Sequence, residues 1–373
     1  MKILKLVPLF LIFLLLSTGC SKETFTGLWK IDLKLQDNSL PFIIDLKQDK
    51  GKISGVLYNS DEKLTLNGKI VEELNEKLAI LEIGPHYSEL RLKLDGDTLD
   101  GEWVRTNKED YRVSLKGERI NNPDWLVKYQ NEKPVYQLEG NWKVKWDTDK
   151  EGLGVFTQNG NRLKGSILTN TGDYRFLEGY IEKDLVRLYG FDGVFSFIFE
   201  LKLQSSKFFS GNMLSGKSYQ TSIQGVKDPH YALSDPLNMT NKTNDKPIGK
   251  LGTSISGESI DLSEKKYNDS IKIIQLFGSW CPNCVDETKF FNRWRKENSE
   301  LAKNIQFVAL AFENFKDETQ ALRALKKSKA KLEMDYPLIL VDYDKTIKPQ
   351  DVLPIDKARA FPTTLFLNKK NDT

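Results

Sequence analysis

From Phe25 to about Asp228 the chain alternates apolar and polar residues in short runs broken by Gly, Asn and Asp. That is the period of half-buried β-strands, not of helices. Gly27-Leu28-Trp29-Lys30-Ile31-Asp32-Leu33 and Tyr111-Arg112-Val113-Ser114-Leu115 show it most clearly. Closely spaced turn signals predict antiparallel hairpins in up-and-down order, either closed into a small barrel or stacked as a sandwich.

The pattern occurs twice. Gly27-Leu28-Trp29-Lys30-Ile31 returns as Gly140-Asn141-Trp142-Lys143-Val144, 113 positions on. Lys52-Ile53-Ser54-Gly55 pairs with Arg162-Leu163-Lys164-Gly165, and Leu66-Asn67-Gly68-Lys69-Ile70 with Leu177-Glu178-Gly179-Tyr180-Ile181. Leu99-Asp100-Gly101 matches Phe209-Ser210-Gly211, and these later pairs lie 110 or 111 positions apart. Four ordered matches predict a duplicated antiparallel meander, with one module over 21–120, a connector over 121–138 and a second module over 139–228. The aromatics of this half, among them Trp29, Trp103, Trp142, Trp146 and Phe195 to Phe199, recur at strand period and read as core. Without an acidic pair, metal cluster or nucleophile, the half reads as scaffold or recognition module.

Residues 229–252 are polar and rich in Pro and Asn, as a linker is. Beyond them, over 253–373, strands and helices alternate, the mark of an α/β layer. Apolar runs predict strands at Ile271–Phe277, Ile305–Phe312, Pro337–Val341 and Thr363–Leu367. A helix is predicted from Cys284 to Lys303 with Phe290, Phe291 and Trp294 on its packed face, and another capped by Asp317 with Ala321, Leu322, Ala324 and Leu325 inside.

The 55 basic and 52 acidic residues leave a net charge of +3, which gives no electrostatic footprint for nucleic acid. The amino terminus is different in kind. Lys2 and Lys5 precede an apolar stretch, Leu6 to Leu16, that is too short to span a bilayer and has the layout of an export signal. Ser17-Thr18-Gly19-Cys20 then resembles the end of a bacterial lipoprotein signal, although Ser17 stands where that pattern has an aliphatic residue. The resemblance implies that 1–20 is a signal ending at a lipidated Cys20, which tethers the mature chain in the cell envelope. Secretion with a free Cys20 and an uncleaved anchor are the alternatives, and all three place the chain outside the cytoplasmic membrane.

Of the three cysteines, Cys281 and Cys284 directly follow the Ile273–Phe277 run and open the predicted helix. There the first sulfur meets unpaired backbone N–H groups and the positive end of the helix dipole, both of which favour a thiolate nucleophile. Cys284, one turn on, can resolve a mixed disulfide. Zinc needs four ligands, and the chain's remaining Cys20, His86 and His230 lie far upstream. A redox pair therefore reads better than zinc or inert buried thiols, and it needs no cofactor beyond the Cys281–Cys284 disulfide itself.

Phe277-Gly278-Ser279-Trp280-Cys281-Pro282-Asn283-Cys284 and Phe361-Pro362-Thr363-Thr364-Leu365-Phe366 together resemble the thioredoxin superfamily, in its exported, membrane-tethered TlpA/ResA-like branch. The resemblance covers roughly the last third of the chain. It implies a thiol–disulfide oxidoreductase in which Trp280, Pro282 and Asn283 complete the motif. Pro362 would be a cis-proline facing the dithiol, with Phe361 and Thr363 flanking the substrate groove. Glu287, three residues after Cys284, would handle protons, since Gln275 replaces the buried acid of thioredoxin itself. Implied partners are exported proteins with disulfides and a membrane thiol electron donor, with the reductase direction favoured. Family members continue with another strand and helix, so a sequence stopping at Asn371-Asp372-Thr373 implies an incomplete domain with an unpaired sheet edge.

Two other functions compete. A peroxiredoxin shares the fold but wants Thr or Ser where Gly278 stands. A non-catalytic surface lipoprotein would bind a ligand through the β modules.

Overall fold

The computed structural model describes residues 24–73, 76–129, 133–243, 247–267 and 269–371. The signal segment and Cys20 lie outside them.

Strands β1 (Gly27–Leu35), β2 (Asn38–Asp49), β3 (Lys52–Asn59), β4 (Glu62–Glu73), β5 (Glu76–Ile83), β6 (Ser88–Asp95), β7 (Thr98–Arg105) and β8 (Arg112–Ile120) pair in sequence order. The β1–β8 pairing closes them into a barrel, with Leu28 opposite Ile120. Strand period turns Trp29, Ile31, Leu33 and Leu35 inward, where Trp103 and the leucines of β6 complete a filled interior. The Lys50-Gly51 turn between β2 and β3 has positive φ at both residues, the twist that a two-residue hairpin requires.

The second copy comprises β9 (Gly140–Trp146), β10 (Glu151–Asn159), β11 (Arg162–Thr169), β12 (Gly172–Asp173), β13 (Leu177–Glu182), β14 (Leu185–Phe191), β15 (Ser196–Ser205), β16 (Phe208–Ser215) and β17 (Tyr219–Lys227). Pairings β9–β17 and β10–β11 close eight of these into a second barrel, with the two-residue β12 beside β11. Both copies are thus barrels, not sandwiches.

The repeat extends to the hydrogen bonds. The Trp29 indole donates to the Phe25 carbonyl (2.9 Å), and Trp142 to Leu138 (2.7 Å). Gln48 accepts from the Phe25 N–H (3.1 Å) as Gln158 does from Leu138 (2.8 Å). The repeated glycines have a steric cause. A β-carbon at Gly68 would overlap the Ile80 carbonyl, and one at Gly179 the Arg187 carbonyl, because neighbouring strands cross there too closely for any side chain. The barrels join where Phe191 packs into the core of the first, tilted against Phe42 (4.6 Å) and edge-on to Trp103 (5.0 Å).

A short hairpin, β18 (Lys250–Thr253) and β19 (Ser259–Asp261), leads into a sheet of β20 (Ile271–Phe277), β21 (Ile305–Phe312), β22 (Leu338–Asp342) and β23 (Thr363–Leu367), ordered β22-β21-β20-β23. The first three are parallel and β23 is antiparallel to β20. Helices α1 (Pro282–Glu297) and α3 (Glu318–Lys331) cover one face, with α2 (Ser299–Ala302) following α1. Residues of the hairpin and of the segment around α4 (Pro349–Val352), including Ile260, Leu262, Leu353 and Ile355, pack on the other. Among the described residues β23 pairs only with β20, and its Phe366 is 61% exposed.

Three sequence expectations are corrected, the first being Phe195, which is exposed rather than part of the core. The long helix ends at Glu297 rather than Lys303, because Asn298 turns its side chain back onto the Trp294 carbonyl (2.9 Å) and leaves helical geometry. Phe290 is not on the packed face: it is 48% exposed, and Phe291 alone of that pair is buried.

Candidate active site

Strand β20 is buried along nearly its whole length, so it delivers the chain into a tight turn at a fixed height. Its last residue is followed by Gly278-Ser279-Trp280, and Cys281 then becomes the N-cap of α1 with Pro282 in the first turn. The Cys281 sulfur accepts the Cys284 backbone N–H at 3.1 Å, one of the donors a helix start leaves unpaired. Cys281 and Cys284 are joined as a disulfide with Cα atoms 5.3 Å apart, and are 3% and 0% exposed.

Trp280 donates its indole N–H to the Phe312 carbonyl (2.9 Å) and packs its ring 5.4 Å from Phe361. The Phe361–Pro362 peptide is cis. Phe361 also touches the apolar cluster that holds both cysteines, so the structure brings Trp280 and Phe361 to the disulfide, with Pro362 next in the chain. Thr363 donates its hydroxyl to the Ala360 carbonyl (2.7 Å), fixing the loop before β23. A cavity of about 330 Å³ opens beside this corner, lined by Trp280, Phe312, Glu313 and Phe361 with Lys345 and Lys348 at its edge.

Glu287 lies on the inner side of α1. One carboxylate oxygen accepts from Gln275 Nε2 (2.8 Å) on β20, the other from Thr364 Oγ1 (2.8 Å) on β23. Burial raises its pKa above the usual carboxylate range, against the pull of those two hydrogen bonds. Gln275, which the sequence marks as a departure, is the residue that orients this acid, and Thr288 Oγ1 also lies 3.2 Å from its amide.

Sequence reasoning missed Glu313. It follows β21 directly, at the carboxyl end of a parallel strand where α/β sites gather. Its carboxylate accepts the Ser279 N–H (2.8 Å) and hydroxyl (2.7 Å), pinning the turn before the disulfide. Burial pushes its pKa up to about 7.

The barrels also reach the site. His86, buried on the β5–β6 turn, lies against the Ser279 backbone, and burial followed by the nearby Arg175 charge pushes its pKa down to about 3. Arg175 contacts Asn283 and Asp286 of α1. Glu82 of β5 pairs with Lys327 (3.1 Å) and Lys331 (2.8 Å) of α3, holding the first barrel to the α/β unit. No grouping of three or more metal-ligating side chains occurs among the described residues, and no described helix is long and apolar enough to cross a membrane.

No family model matches this sequence, and no curated protein does. Solved structures do. A thiol-disulfide oxidoreductase from Bacteroides fragilis is 14% identical with a TM-score of 0.27, covering 35% of this chain and 86% of its own. A thiol:disulfide interchange protein of the thioredoxin family from Chlorobium tepidum is 15% identical with a TM-score of 0.27, covering 36% and 85%. A secreted Mycobacterium tuberculosis disulfide oxidoreductase homologous to Escherichia coli DsbE is 15% identical with a TM-score of 0.23, covering 33% and 78%.

Proposed function

We propose that the chain is an envelope-anchored thiol–disulfide oxidoreductase that reduces disulfides of exported proteins through Cys281 and Cys284. The observation that carries this reading is Cys281 at the N-cap of α1, accepting the Cys284 N–H and bonded to its sulfur, with Phe361 of the cis Phe361–Pro362 peptide packed on the same apolar cluster. A helix start stabilises thiolate at that sulfur, which is the charge the reaction needs.

In the reduced enzyme the Cys281 thiolate attacks one sulfur of a substrate disulfide. The substrate's other sulfur leaves as thiolate and takes up a proton. Cys284, once deprotonated, attacks the Cys281 sulfur of the mixed disulfide, forms the intramolecular disulfide and releases the second substrate thiol. Two electrons pass to substrate, and a membrane thiol donor returns two to close the cycle. Glu287 is the acceptor for the Cys284 proton, held in reach of the helix by Gln275 and Thr364. Phe361 and Trp280 form the apolar wall along which an extended substrate segment lies.

The lipoprotein-like amino terminus supports an anchor at Cys20 and an extracytoplasmic site of action. Turnover of a model disulfide such as insulin by the full chain, with dithiothreitol as donor, tests the proposal. Activity lost in Cys281→Ser supports it; activity that survives this substitution, or is never present, sinks it.

A further inference from the structure

We infer that Arg175, a residue of the second barrel, is a positioning residue of the redox centre: it clamps Asn283 and Asp286 on the first turns of α1 and offsets the carboxylate charge of Glu62, Asp192 and Asp286. This rests on the oxidoreductase reading above.

Arg175 is 8% exposed, and its guanidinium is shared among three parts of the molecule. Nη1 lies 2.5 Å from Asp286 Oδ2 and 3.5 Å from Asn283 Oδ1, both on the first turns of α1. Nη2 pairs with Glu62 of the first barrel, and Nε faces Asp192 of the second at 3.6 Å. Asn283, between the cysteines, is approached by a second residue of the barrel, since a β-carbon on Gly172 would come within 3.2 Å of its Nδ2.

The second barrel departs from the first at this point. Copy one runs β4 unbroken from Glu62 to Glu73, whereas copy two interrupts the corresponding strand between β12 and β13. Arg175 sits in that break with φ +57°, a left-handed conformation that costs a non-glycine residue energy. The break and the strained residue both serve to aim one guanidinium at α1. A buried cation that meets three carboxylates is costly to place, and packing alone does not require it.

The electrostatic consequence has a sign. With Arg175 present, one cation stands against Glu62, Asp192 and Asp286 and reaches α1 at Asn283, two residues after Cys281. Removing it leaves carboxylates that disfavour the Cys281 thiolate and so favour the disulfide over the dithiol. Removing Asp286, which is half exposed on α1, does the reverse.

The test measures, in the full chain, the Cys281 thiolate titration by ultraviolet absorbance and the dithiol–disulfide equilibrium in glutathione buffers. Arg175→Gln is expected to raise the thiolate pKa and shift the equilibrium about tenfold toward disulfide, roughly 30 mV more reducing. Arg175→Lys recovers part of that shift, and Asp286→Asn moves both quantities the opposite way. Asp286→Asn does not depend on the fold surviving loss of a buried cation. If the native couple behaves normally while Arg175→Gln and Asp286→Asn leave both readouts unmoved, Arg175 is only a tie between domains and the inference fails alone. If native protein forms no reversible couple, the oxidoreductase reading fails and the inference falls with it.

Discussion

Gln275 on the central strand donates its amide to the carboxylate of Glu287 on α1 at 2.8 Å, and Thr364 holds the other oxygen of that carboxylate from the next strand. A residue that looks in sequence like the loss of a buried acid is therefore the support of a different one. Glu287→Gln keeps the shape and removes the acceptor. The substitution is expected to slow the Cys284 resolving step by about tenfold or more, within the range of a lost general base. It should also abolish the acidic limb of that step's pH profile, because burial places the Glu287 titration above that of a free carboxylate. Stopped-flow kinetics from pH 5 to 9 check this, and an unchanged profile would remove Glu287 from the mechanism.

The two cysteines are predicted to have unequal roles. Cys284→Ser should accumulate mixed disulfides with substrate, since the Cys281 thiolate still attacks but nothing resolves the product. Cys281→Ser should accumulate none, with Cys284 fully buried. Non-reducing gels after incubation with a disulfide substrate show the difference, and equal trapping by both variants would contradict the assignment.

Glu313 predicts a pH-dependent contribution to stability. Its folded pKa is raised to about 7 from an ordinary 4.5, so the folded state binds the proton more tightly than the unfolded chain. The stabilisation is fully present below pH 4.5 and is lost as pH rises through 7, amounting to about 3 kcal/mol across that window. Urea unfolding of native protein and Glu313→Gln should therefore diverge in that sense between pH 4.5 and 7. Parallel curves would mean that the carboxyl is not held as described.

The paired glycines give a test of the duplicated barrels. Gly68→Ala and Gly179→Ala each force a methyl into a partner-strand carbonyl, and each is expected to cost roughly 2 kcal/mol or more. Chemical denaturation checks both, and a tolerated alanine at either position would contradict the strand crossing there.

Much of this was legible in the chain. Strands Ile271–Phe277, Ile305–Phe312 and Thr363–Leu367 fall where the apolar runs put them, because strands of a covered sheet are mostly apolar and the runs mark their ends. The repeat was visible through Gly55, Gly68 and Gly101 and their partners, residues kept small by backbone contact. Barrel closure was not, since pairing Leu28 with Ile120 is a non-local choice that alternation alone leaves open. The stop at Asn298 depends on a side chain competing with the helix for the Trp294 carbonyl, and Phe290 on a face that the period alone misassigns. Arg175 lies 108 residues before Asn283, and only the docking of a barrel onto α1 makes them neighbours.

Cys281 and Cys284 are expected to form a reversible couple poised for reduction of substrates. Equilibrating the full chain with graded dithiothreitol and glutathione buffers, then counting free thiols by alkylation and mass spectrometry, measures its potential. The expected result is a two-electron couple near the thioredoxin value of about −270 mV. A value near the strongly oxidising end, about −120 mV, would make the protein a disulfide donor and contradict the proposed direction, and thiols that never pair would contradict the redox centre itself.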